Sequence, residues 1–167
     1  LVGSEMCIRD RFIRIVRIAL LLTLPASMAA ADGMLDPPKE MRLLSANRAY
    51  LVISSPDSNT RILDNRTNAE LWSVPGWHRV LFISNDGQHL VIGYSGMNLI
   101  PLDYSDDLVL LAFWEKGRPL REVRVRDICP YRWHLRKTMS HYYWGDIVKI
   151  DDRDRLVINR ADGAVMY

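Results

Sequence analysis

Ser84-Asn85-Asp86-Gly87-Gln88-His89-Leu90-Val91-Ile92-Gly93-Tyr94 is the stretch that decides the fold. Asn85-Asp86-Gly87 supplies the positive-φ positions of a tight hairpin, and the runs on either side, Arg79–Ser84 and His89–Tyr94, are short and rich in aliphatic residues. They read as two strands joined by a turn. The same signature recurs outward in both directions, at Tyr50–Ser54, Thr60–Asp64, Ala69–Val74, Asn98–Leu102, Leu108–Glu115, Leu120–Val125, Asp146–Ile150, Arg155–Asn159 and Ala164–Tyr167. Lys116-Gly117-Arg118-Pro119 and Ala161-Asp162-Gly163 provide further turns. Many short strands at roughly ten-residue spacing predict an all-β antiparallel architecture. Only Val123–Arg132 interrupts it, where Asp127-Ile128-Cys129-Pro130 fits one helical turn stopped before the proline.

The aliphatic rhythm repeats. Ala49–Ile53, His89–Gly93 and Arg155–Asn159 share it, and the first two lie about 40 residues apart, the length of a four-stranded propeller blade. SNDGQHLVIGY resembles the hairpin of WD-repeat and YVTN-type β-propellers, and TRILDNRTNAELWSV is similar to the strands that come after it there. GYSGMNLIPLDY followed by TMSHYYWG is similar to a group of exported bacterial proteins. The resemblance implies antiparallel propeller-like blades, two to three four-stranded sheets, with a β-sandwich as the alternative. Rings of this kind use about four to eight blades, so an incomplete ring is expected, in a chain truncated at its ends. Unpaired edges would then invite edge-to-edge self-association.

Residues 2–10 resemble a translated sequencing adapter and are set aside. Residues 11–31 read as a signal peptide: arginines at 11, 14 and 17, an apolar run Ile18–Leu24, then small residues that fit cleavage after Ala29 or Ala31. The apolar stretch is shorter than the roughly 20 residues a membrane span needs. A periplasmic or secreted location is therefore expected. Residues 32–46, with Pro37-Pro38, read as a lead-in carrying one helical turn at Lys39–Leu44, and 47–167 as the β domain. Removing residues 1–31 takes the 22 basic and 20 acidic residues to 18 of each, a balance that argues against a nucleic-acid partner. Cys129 is then alone, so no intramolecular disulfide forms, and burial is its expected state.

The chemistry-bearing residues do not assemble into a recognisable set. Cys129, His134, His141 and Asp146 are zinc-type ligands at a spacing that matches no motif. Ser140-His141 beside Asp146 lacks a nucleophile elbow, and neighbours on a strand point apart. Asp151-Asp152-Arg153-Asp154 lacks the glycine and distal glutamate of a calcium loop. Neither a metal nor another cofactor is expected. Arg118, Arg121, Arg124, Arg126, Arg132, Arg136 and Lys137, with Tyr131 and Trp133 between them, read as a solvated face with arginines packed on tryptophan. The aromatic cluster Trp133, His141, Tyr142, Tyr143 and Trp144 reads first as filling of a blade core and is otherwise the candidate ligand-binding set; strand alternation places His141 with Tyr143 on one face and Tyr142 with Trp144 on the other, so at most half of it is exposed. The expected function is non-catalytic binding of a protein, a peptide or an envelope glycan. The alternative is a propeller hydrolase or lyase whose active site is incomplete in this chain.

Overall fold

The computed structural model describes residues 35–151, 153 and 155–166. The adapter-like segment, the leader, Asp152, Asp154 and Tyr167 lie outside the described residues. From Leu35 onward the chain forms β1 (Met41–Leu44), β2 (Tyr50–Ser54), β3 (Thr60–Asp64), β4 (Glu70–Val74), β5 (Leu81–Ile83), β6 (His89–Gly93), β7 (Leu99–Pro101), β8 (Val109–Glu115) and β9 (Arg118–Arg124). One helical turn α1 (Val125–Ile128) and a 3₁₀ turn (Arg132–His134) come next, then β10 (Arg136–Lys137), β11 (His141–Tyr143), β12 (Gly145–Ile150), β13 (Leu156–Arg160) and β14 (Val165–Met166).

Among the described residues all pairings are antiparallel and fall into four small sheets. The first is the meander β1-β2-β3-β4, the second is β5-β6-β8-β9, the last is β12-β13-β14, and β7 leaves the second sheet to pair in a small sheet β10-β11-β7. The first strands of the three main sheets are neighbours, β1 beside β5 and β5 beside β12. This succession is consistent with an incomplete propeller-like arrangement, and among the described residues it does not close into a barrel.

Packing explains why the central strands are continuously apolar. Leu90 and Ile92 of β6 join Val52, Ile62 and Val74 of the first sheet in one buried cluster, while Val91 points the other way, into a second cluster with Leu156 and Ile158 of the last sheet. A strand covered on both faces has no solvent side to keep polar. Each such aliphatic side chain contributes about 1.5–3 kcal/mol. Close approach depends on small residues. A Cβ on Gly93 would stand 2.5 Å from Val80 and 3.3 Å from Ile147, and one on Gly87 would stand 2.5 Å from the Tyr50 ring.

The opening hairpins of the first two sheets are built alike. Tyr50 N–H donates to Ser45 Oγ and His89 N–H to Ser84 Oγ, both at 3.0 Å. Ser45 Oγ donates to Asn47 Oδ1 at 2.7 Å, and Ser84 Oγ donates to Asp86. The left-handed position is Arg48 (φ 61°) in one and Gly87 (φ 68°) in the other. Asn47 bridges the two turns, its N–H donating to Asn85 Oδ1 at 2.9 Å and its Nδ2 to Asn85 O at 2.8 Å.

One expectation is corrected. Lys39–Leu44 is not a helical turn: Met41–Leu44 is β1, pairing with Leu51–Ser54 of β2, so the first blade begins inside the expected lead-in. Leu43 packs against the cluster around Val52, and sheet pairing supplies the backbone bonds a single helical turn cannot. The chain from Arg136 to Tyr143 contains the short strands β10 and β11, whose partner β7 is distant in sequence.

Candidate binding surface

The candidate residues lie on the connection between the second and last sheets. The β9 strand ends at Arg124, whose N–H donates to Asp127 Oδ2 at 2.8 Å and so caps α1. Val125, Ile128 and Cys129 turn inward, and Pro130 ends the segment. These inward residues anchor the 3₁₀ turn to the core. That turn lifts Trp133 into solvent, 73% exposed, against Tyr131, 55% exposed. The two rings stack at 4.4 Å between centroids with 9° between planes, and His134 meets both edge-on at 5.5 and 5.8 Å. Large exposed rings held in one orientation make contact area with little loss of side-chain freedom on binding.

Arg132 lies on the other side of this turn. Its guanidinium sits 4.9 Å over the Tyr142 ring and donates to Tyr142 Oη, tying the turn to β11. Tyr142 is 6% exposed and meets Tyr104 edge-on at 5.8 Å, and Trp144 is 1% exposed with Nε1 donating to Met97 O at 2.9 Å. These two residues therefore belong to the core. His141 and Tyr143, on the opposite face of β11, are half-buried. Arg136 covers the Tyr143 ring at 4.5 Å. Tyr143 Oη donates to Asp146 Oδ2 at 2.5 Å, and Asn98 Nδ2 donates to Asp146 Oδ1 at 3.0 Å. Burial and the neighbouring Asp146 carboxylate push the Tyr143 phenol up to about 12.

The cluster thus divides into two core residues, Tyr143 in the Asp146 network, His141 against Ser140 and Thr138, and Trp133 apart from them with Tyr131. Tyr131, which stacks on Trp133, was not in the expected set. Its signal was the i, i+2 aromatic pair just after Cys129-Pro130. The arginine expectation is corrected in its partner: Arg132 and Arg136 pack on Tyr142 and Tyr143, and among the described residues the tryptophan covered by an arginine is Trp77, under Arg79 at 5.1 Å. Arg124 and Arg126 both pair with Asp107.

The candidate chemical groups are engaged with one another in structural roles. Ser140 Oγ and His141 Nδ1 are 2.9 Å apart, while both oxygens of Asp146 are taken by Tyr143 and Asn98. His134 Nε2 stands 3.9 Å from Asp162, whose carboxyl is held down at about 2, first by its hydrogen bonds to Arg160. Burial pushes the Cys129 thiol up to about 11, and its Sγ lies 3.9 Å from Trp144 O. Asp151 accepts from the backbone N–H groups of Arg153 and Arg155, an Asx turn, and its ion pair with Arg155 keeps it near 2. No group of three His, Cys, Asp or Glu is gathered in metal-ligating reach among the described residues. No protein family, curated protein or solved structure matches the chain.

Proposed function

We propose that this chain is an exported, propeller-like binding protein that recognises its ligand through the aromatic turn Tyr131–His134 and performs no covalent chemistry there. The observation that carries the reading is the stacked, solvent-facing Tyr131–Trp133 pair, held in place by Arg132 on Tyr142. Exposed aromatic area is costly to leave in water and is characteristic of recognition surfaces. The half-buried His141 and Tyr143 supply polar atoms on a neighbouring strand. The basic, apolar and small-residue order of residues 11–31 supports export to the periplasm or beyond. The blade-like repeat of the serine-anchored hairpins supports kinship with propellers.

The test compares wild-type protein with Trp133→Ala in capture from envelope extract and in titration with soluble peptidoglycan fragments. Trp133 is so exposed that its loss should change stability by less than about 0.5 kcal/mol. The reading predicts that the captured or titrated ligand is lost in Trp133→Ala. Equal capture by both proteins would overturn it.

A further inference from the structure

The recognition turn is closed twice by one residue. His134 N–H donates to Tyr131 O at 3.0 Å, and its ring Nδ1 accepts the Tyr131 N–H at 3.4 Å, the return bond of a capping box. A ring nitrogen that accepts carries no proton. Neutral His134 therefore keeps its proton on Nε2, and that nitrogen stands 3.9 Å from the Asp162 carboxylate on the turn between β13 and β14. The His134 side chain is only 12% exposed, set edge-on against Tyr131 and Trp133 at 5.5 and 5.8 Å.

The surroundings decide what a second proton on this ring would do. Asp162 is held at about 2, first by its hydrogen bonds to Arg160, so it stays ionised wherever an imidazole takes up its proton. Arg160 is committed to Asp162 and to Ile128 O, and Arg132 to Tyr142. The titratable groups at this corner also include the Cys129 thiol, pushed up to about 11 by burial, and the Tyr131 phenol. With both ring nitrogens protonated, Nε2–H keeps Asp162 and is drawn to it more strongly, whereas Nδ1 becomes a donor facing the donor N–H of Tyr131. The capping bond is then lost.

We infer that His134 is a pH-sensitive latch on the recognition turn: neutral, it holds Tyr131 against Trp133, and protonated, it releases Tyr131 and moves to Asp162, opening the stacked pair. As regulation of the site, the inference rests on the recognition reading above, and ligand binding weakens in acid. The latch itself belongs to the turn and is read without ligand.

The test is nuclear magnetic resonance of the whole chain, with isotope-labelled histidine, at about pH 8 and about pH 5. At the higher pH, His134 Nδ1 should be unprotonated and the ring-to-ring Overhauser cross-peaks between Tyr131 and Trp133 strong. At the lower pH both ring nitrogens should carry protons and those cross-peaks should be lost. His134→Gln puts a non-titrating acceptor in the same place, as glutamine serves in capping boxes, and should keep the cross-peaks at both pH values. His89→Gln, which removes the histidine between Asp86 and Glu115, should respond as wild type does. Soluble peptidoglycan fragments should lose about tenfold in affinity in acid for wild type and hold one affinity at both pH values for His134→Gln. The inference is overturned by wild-type cross-peaks that survive in acid, by their loss in His134→Gln, or by a proton on Nδ1 at the higher pH. Fragments that bind at neither pH, while the cross-peaks follow His134, would overturn the recognition reading and support the latch.

Discussion

Gly87→Ala is the substitution that examines the stacking of the first two sheets most sharply. Gly87 sits at φ 68°, where an L side chain costs about 1–2 kcal/mol. Its new methyl would also stand 2.5 Å from the Tyr50 ring, and relieving such a clash in packed surroundings costs about 1–3 kcal/mol. The expected loss is therefore about 2–5 kcal/mol. Gly163→Ala isolates the first contribution, because Gly163 has φ 89° and nothing within 4 Å of a Cβ, so it should cost only about 1–2 kcal/mol. In a Tyr50→Ala background the clash disappears, and Gly87→Ala should fall to the Gly163 value. Urea unfolding of the single and double variants gives these differences as midpoint shifts at constant slope. Equal losses for Gly87→Ala and Gly163→Ala, or no relief from Tyr50→Ala, would refute the face-to-face packing of the two sheets.

Three further outcomes are expected. Lys116 and Gly117 form a two-residue hairpin between Glu115 and Arg118 with φ of 46° and 80°, the turn that favours Asn-Gly, so Lys116→Asn should gain about 0.5–1 kcal/mol, read as a higher urea midpoint. With its thiol raised from 9.0 to about 11, Cys129 should react with iodoacetamide at pH 8 about a hundredfold more slowly than a free thiol, and at the ordinary rate in urea. The Tyr143 phenol is raised from 10.0 to about 12, so the unfolded chain ionises first: its contribution is complete below pH 10 and declines as pH climbs toward 12. Tyr143→Phe should flatten that alkaline decline in denaturation curves, and an unchanged decline would remove Tyr143 as its source.

Much of the fold was legible because the strongest signals are local. Tyr50–Ser54 and Thr60–Asp64 are strands with the boundaries expected, since each has apolar residues facing a core and turn residues at both ends. What escaped was decided at a distance. Met41-Arg42-Leu43-Leu44 carries too few residues to distinguish strand from helical turn, and pairing with β2 settles it. β10 holds two residues, and the partner of the strand at His141–Tyr143, β7, lies about 40 positions earlier, a pairing no local signal carries. The serine-anchored hairpins could have been aligned as Ser45-x-Asn47 with Ser84-x-Asp86, but Arg48 stands where Gly87 does, and the glycine dominated the reading. In the candidate surface, alternation along His141–Trp144 separated core from rim correctly in geometry. The exposure of Trp133 depends on the 3₁₀ turn, and that turn on Arg132 reaching Tyr142, a contact between side chains ten residues apart.

The most direct measurement is a nuclear Overhauser spectrum of methyl-labelled protein. Three β sheets stacked in succession predict cross-peaks from the Ile147 methyl to Val80 and Gly93, and from the Tyr50 ring to the Gly87 α-protons. Absence of both sets in a folded sample would contradict the stack, and with it the surfaces built upon it.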